Sequence, residues 1–150
     1  MDVTTKRTDS GDPGFQSLVE RLTRFLSVLN GENDAFYTQH NKTDNLPTVV
    51  VAYAGAEPVG CGAFRWVRDG VVEIKRMYVD PDHRGRGVGA QVLRELEAWA
   101  AEAGASTAIL ETSKRLQSAV RLYQRSGYRV IENYGPYVGV HDSVCMEKIL

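Results

Sequence analysis

One junction restricts the fold more than any other part of the chain. Residues 71–79 (VVEIKRMYV) are apolar and rich in β-branched side chains, and residues 80–87 (DPDHRGRG) break that pattern. From residue 88, apolar side chains recur at Val88, Val92, Leu96, Trp99 and Ala103, up to a stop at Gly104. This is a strand that passes through a glycine turn into a long helix. A further short apolar strand follows at residues 107–110. Strand, helix and strand in that order make one βαβ crossover. Upstream, residues 48–54 (TVVVAYA) and 59–67 also read as strands, with turns at AGAEP (54–58) and RDG (68–70). Short connections of this kind give an antiparallel meander. The expected fold class is therefore mixed α/β, an antiparallel sheet feeding one crossover.

The flanks complete the pattern. Residues 3–8 form a short strand and residues 10–14 a break. Phe15, Leu18, Val19, Leu22, Leu26 and Leu29 keep helical spacing, Gly31 interrupts it, and residues 32–40 make a second short helix. Residues 116–125 form another helix that stops at Gly127. Strands at 128–131 and 144–149 enclose a glycine-rich loop, NYGPYVGVHD. At 150 residues the chain is expected to be one domain, 1–150, with a real core.

The formal net charge is −1, so no overall positive field holds nucleic acid or an anionic membrane. The first fourteen residues are polar and lack the apolar core of a secretory signal. No apolar run approaches the roughly 18 residues of a membrane span. Two cysteines, Cys61 and Cys145, fit free thiols in a reducing cytoplasm better than a disulfide framework. His40, His83 and His141 show no metal-ligand spacing, so no metal is expected, and His83 reads as a solvated loop residue.

The glycine loop points to an anion. The first amides of a helix face outward, the helix dipole favours negative charge there, and glycine lets a phosphate approach the backbone. Arg84 and Arg86 add mobile positive charge that suits a pyrophosphate. The run Gly85-x-Gly87-x-x-Ala90 also matches a dinucleotide fingerprint, with Glu111 near the place of a ribose-binding acid. Two features oppose that alternative. Five residues, Asp80 to Arg84, separate the strand from the first glycine, and only one helix and two strands follow Glu111.

The run EIKRMYVDPDHRGRGVGAQVL followed by AVRLYQRSGY resembles the GNAT superfamily of acyl-CoA-dependent N-acyltransferases. The loop signature is met by Arg84, Gly87 and Gly89, and the later one by Ala119, Val120, Leu122, Tyr123, Gly127 and Tyr128. The resemblance covers residues 47–150 and is vague over the first 45. It implies a mostly antiparallel sheet, splayed in the middle and flanked by helices, and a homodimer by family habit.

The same resemblance implies acetyl-CoA as co-substrate. Its pyrophosphate would lie on the backbone of Arg84, Gly85, Arg86, Gly87, Val88 and Gly89, and its pantetheine arm along Met77, Tyr78 and Val79. Many relatives carry Asn where this chain has Leu116, so Ser118 is the expected replacement for that contact.

The resemblance places Tyr123 near the coenzyme's sulfur. A phenol of pKa about 10 can return a proton to a thiolate without ionising early, which makes Tyr123 the expected acid. Glu73 is the expected base, with Glu111 on the neighbouring strand as the alternative. By strand alternation Glu73, Lys75 and Met77 should share one face. The oxyanion donor would be a backbone N–H around Val79. Asn33, Phe36, Tyr37, Tyr134, Tyr137 and His141 are the expected wall for the acceptor, a small-molecule amine or peptide. Trp99 is expected in the core and Trp66 half exposed. The rival functions are a non-catalytic acyl-CoA-binding regulator and a nucleotide-binding oxidoreductase.

Overall fold

In a computed structural model, residues 2–30 and 45–150 are described. The elements are β1 (Val3–Thr8), α1 (Pro13–Asn30), β2 (Val49–Ala54), β3 (Glu57–Arg68), β4 (Val71–Val79), α2 (Val88–Glu102), β5 (Thr107–Ser113), α3 (Gln117–Arg125), β6 (Arg129–Ile131) and β7 (Ser143–Ile149). Single 3-10 turns lie at Pro81–His83 and Gly135–Tyr137. The expected helix at 32–40 lies outside the described residues.

The strands form one seven-stranded sheet in the order β1-β2-β3-β4-β5-β7-β6. Every pairing is antiparallel except β4 with β5. That parallel pair is short: Val71 to Glu73 pair with Thr107 to Ile109, and the strands then separate. The expected splay is present.

Alternation along each strand sends its side chains to two faces. Beneath α2, Val92, Leu93 and Leu96 pack on Val50, Phe64, Val72, Ile74, Leu110 and Met146, all nearly or fully buried. Beneath α1, Phe15, Leu18 and Leu22 pack on Val49, Val51, Cys61, Ala63 and Tyr78. α1 starts where Asp12 accepts bonds from the N–H groups of Gly14 (2.8 Å) and Phe15 (3.1 Å), with Pro13 in the first turn. Gly62 lets α2 lie close to β3, because a Cβ there would come within 2.8 Å of Leu96 Cδ1.

β4 carries one extra residue. Between the pairs Cys61–Tyr78 and Ala63–Lys75, three steps of β4 oppose two of β3. Arg76 adopts φ +61°, a conformation L side chains rarely take, and the Cys61 thiol donates to its carbonyl at 3.4 Å. The bulge corrects one expectation. Met77 and Val79 pack with the cluster under α2, while Tyr78 joins the cluster under α1. Glu73, Lys75 and Met77 therefore do not share a face, since an inserted residue reverses alternation beyond it.

Trp99 is only partly buried. It meets Phe64 edge-on at 5.7 Å and carries the Arg7 guanidinium 5.3 Å from its ring centre. Ala103 caps α2 at an exposed position, and the buried stripe instead gains Leu93 and Ala100. Trp66 is 43% exposed, as its place at the end of a strand predicts.

Candidate active site

Where β4 and β5 part, a cavity opens in the sheet. Leu22 and Leu26 of α1 wall one side, Leu116, Ala119 and Tyr123 another, and Tyr137 a third. Glu73, Lys75 and Glu111 line it with polar groups. These three sit on sheet positions that elsewhere carry core residues, so the cavity replaces core on this part of the face.

Glu73 is 2% exposed and heavily engaged. Arg65 Nε donates to its Oε1 at 2.7 Å, the Tyr134 hydroxyl donates to Oε2 at 2.6 Å, and Lys75 Nζ lies 3.8 Å from Oε1. Burial pulls the Lys75 ammonium below its usual range, opposed by the Glu73 charge. Burial drives the Tyr134 hydroxyl far above its usual range, and the adjacent Glu73 adds to that.

Glu111 is placed differently. Ser143 Oγ donates to its Oε2 at 2.7 Å, and no protein group bonds Oε1 among the described residues. Burial pushes its carboxyl up to about 7, with Ser143 and Lys75 pulling down and Glu73 pushing up. Tyr123, 6% exposed, meets Tyr128 edge-on at 5.9 Å, and its hydroxyl has no protein hydrogen bond among the described residues. Burial first, and the Glu111 charge second, hold its phenol above the usual range. Tyr128 is itself fixed: its hydroxyl donates to Glu97 at 2.9 Å, and Lys148 donates to the other Glu97 oxygen at 2.9 Å.

The glycine loop has the geometry of an anion cradle. Gly85 and Gly87 take φ near +78° and +79°, and Gly87 opens α2 with no side chain capping it. Residues 84–87 are exposed. Arg84 is pinned rather than mobile: its Nε donates to the Val79 carbonyl at 3.0 Å, and its guanidinium lies 5.7 Å from the rings of Phe25 and Tyr78. Arg86 is exposed. His83 is not a free loop residue, because Nδ1 lies 3.0 Å from Asp80, which also accepts from Arg21 at 2.8 Å. The His83 bond is the first cause holding the Asp80 carboxyl below its usual range.

The structure thus brings Glu73, Met77, Tyr123, Tyr137 and, through its bond to Glu73, Tyr134 to the cavity. Ser118 is exposed and His141 is exposed, and neither lines it. Asn33, Phe36 and Tyr37 lie outside the described residues. Three contributors escaped sequence reasoning. Arg65 and Ser143 reach the carboxylates across strand pairs, and Asn133 Nδ2 donates to the carbonyls of Tyr137, Val140 and Ser143 (3.1–3.2 Å), shaping the loop that carries both tyrosines. Only the alternation Glu73-x-Lys75 signalled a buried charge pair. Cys61 and Cys145 are packed thiols, pushed by burial to about 12 and about 11. Among the described residues no group of three His, Cys, Asp or Glu side chains could hold a metal.

Comparison with known proteins agrees with this geometry. An IAA acetyltransferase of Azospirillum brasilense is 31% identical over 157 residues, covering 99% of each chain. A Klebsiella pneumoniae structure described as an acyl-CoA N-acyltransferase superposes with TM-score 0.82 at 31% identity, covering 99% of this chain and 97% of that one. The PaiA N-acetyltransferase of Thermoplasma acidophilum, solved with coenzyme A, shares the fold at TM-score 0.71 and 18% identity, over the whole of both chains. The pattern of the acetyltransferase (GNAT) family matches residues 15–128, and the chain belongs to that family of N-acetyltransferases.

Proposed function

We propose that the chain transfers the acetyl group of acetyl-CoA to a primary amine of a small molecule or peptide by direct attack. The observation that carries this is the combination of three features: an uncapped glycine N-terminus on α2, a β4 edge without a strand partner toward β5 beyond Glu73 among the described residues, and a cavity that Tyr123 lines. The amides of the α2 first turn fit a pyrophosphate, and the free edge of β4 fits the amides of a pantetheine arm.

The chemistry needs a neutral amine, a donor for the developing oxyanion, a proton for the leaving thiolate, and alignment. Tyr123 supplies the proton: burial keeps its hydroxyl protonated until a thiolate forms. Glu73, clamped by Arg65 and Tyr134, holds negative charge beside the acceptor and organises water there. The backbone near Val79 donates to the oxyanion. Leu22, Leu26, Leu116 and Tyr137 give the acceptor an apolar surround. Buried, unpaired thiols support a reducing cytoplasm. Among the described residues no helix is long and apolar enough to cross a membrane. A homodimer rests on family habit and is read by sedimentation.

The test is thiol release from acetyl-CoA with 2-phenylethylamine, alanine and alanyl-alanine, with Tyr123→Phe as control. Turnover that falls about 10²-fold or more in Tyr123→Phe supports the reading. Coenzyme binding without thiol release in any arm assigns a regulatory binding module instead. A preference for NAD or NADP over coenzyme A assigns the oxidoreductase.

A further inference from the structure

We infer that Glu111, not Glu73, takes the proton from the acceptor amine. This rests on the acetyltransfer reading above and names one more group in it. A base needs an open lone pair facing the substrate and a proton affinity near the working pH. Glu73 fails the first condition. Both of its oxygens are occupied, by Arg65 and Tyr134, and its side chain is 3% exposed.

Glu111 lines the same cavity with one oxygen held by Ser143 and the other without a protein partner among the described residues. It stands on β5 opposite the gap from Lys75, and Tyr123 of α3 lines the cavity with it. Its charged and titratable surroundings are Lys75, Arg76 and Glu73 on β4, Tyr123, Tyr137, and Cys145 on β7, its Cα partner in the sheet. Burial against them brings its carboxyl to about 7, where a base takes and releases protons most readily. Base and acid thus face one cavity from different elements.

The protons balance. The ammonium form of the acceptor gives one proton to Glu111, which passes it to solvent. The nitrogen lone pair forms the C–N bond and the C–S bond breaks. The second nitrogen proton leaves through Glu111 too. The thiolate takes a proton from Tyr123, which recovers one from solvent. The products are an amide, a thiol and one proton.

The experiment is the pH profile of kcat/KM for acetyl-CoA with the faster of 2-phenylethylamine and alanyl-alanine. It is accompanied by a carbon-13 titration of the glutamate carboxyls and calorimetry with acetyl-CoA. Wild-type activity rises through about pH 7, and Glu111→Gln removes that limb and lowers the rate about 10²-fold or more. Ser143→Ala, which deletes a bond to the ionised form, moves the limb to higher pH. Glu73→Gln keeps the limb and, by deleting a charge that raises the Glu111 carboxyl, moves it slightly to lower pH. Glu111→Gln still binds acetyl-CoA with wild-type affinity, so its loss is not a loss of the site. A Glu111 carboxyl titrating near its ordinary 4.5 overturns the inference whatever the acceptor. So does a Glu111→Gln enzyme with the wild-type profile. Wild-type protein that binds coenzyme without turnover overturns the acetyltransfer reading instead.

Discussion

The two faces of β4 and β5 are built from alternate residues of the same strands, yet they do opposite things. Toward α2, Val72, Ile74, Ala108 and Leu110 are at most 4% exposed and part of one apolar cluster. Toward α1, Glu73, Lys75 and Glu111 line a cavity. A two-residue period lets one strand be core and site at once. The apolar face gains by excluding water, whereas the polar face costs stability and holds Lys75 and Glu111 at unusual proton affinities. The difference is sharpest where β4 and β5 cease to pair. There the sheet gives up hydrogen bonds, and α1 and the tyrosine loop close over the gap.

The comparison is broken most severely from the apolar side. Leu96→Ala empties a fully buried site under α2 and should cost about 2–5 kcal/mol in denaturant unfolding. At a temperature where the variant stays folded, its turnover should remain near wild type. A selective loss of turnover at unchanged stability would show that the two faces are not separable.

The polar side should behave in the reverse sense. Between the ordinary 4.5 and about 7, folded Glu111 holds a proton that the unfolded chain has released. Wild-type stability therefore falls as pH rises across that window, and the loss is complete above it. Glu111→Gln should remove this slope. It should be more stable than wild type by roughly 3 kcal/mol near pH 8 and equal to it near pH 4. Parallel stability curves for the two proteins would contradict the buried carboxyl.

Tyr128→Phe probes the seam between the faces. Removing its hydroxyl leaves a Glu97 oxygen short of a donor, at a cost of about 1–3 kcal/mol. Without that anchor the ring that braces Tyr123 is free to shift, so kcat should fall while KM for acetyl-CoA holds. The smallest effect belongs to the surface. Arg7 bonds Glu95 at 2.7 Å and Glu102 at 2.8 Å with about a third of its side chain exposed, so Arg7→Ala should cost less than about 1 kcal/mol, and less still in high salt.

Much of the fold was legible because its signals are local. The β-rich runs and turns in residues 48–79, period 3.6 from Val88 and the stops at Gly104 and Gly127 depend on neighbours in sequence, and the described elements lie within a few residues of their expected bounds. Tyr123 was legible only through the likeness of its helix to a family, since an aromatic beside Ala119 reads equally well as core. The bulge was illegible. Arg76 is not a glycine or proline, and its left-handed backbone lies at a register shift that only the pairing of β3 with β4 reveals. Missing it put Met77 on the wrong face. The distinction between Glu73 and Glu111 was equally hidden, because Arg65, Tyr134 and Ser143 meet those carboxylates only through strand pairing and a loop. Arg84 was read as a mobile charge and His83 as a solvated loop residue for the same reason: Phe25, Tyr78 and Asp80 are brought to them by the fold.

The most direct test of the central claim is a crystal structure with coenzyme A. The account predicts the pyrophosphate on the amides of residues 85–89, the pantetheine along the free edge of β4, and the sulfur within hydrogen-bond distance of the Tyr123 hydroxyl, facing Glu111. A sulfur that lies away from the gap between β4 and β5, with Tyr123 and Glu111 both out of reach, would contradict it.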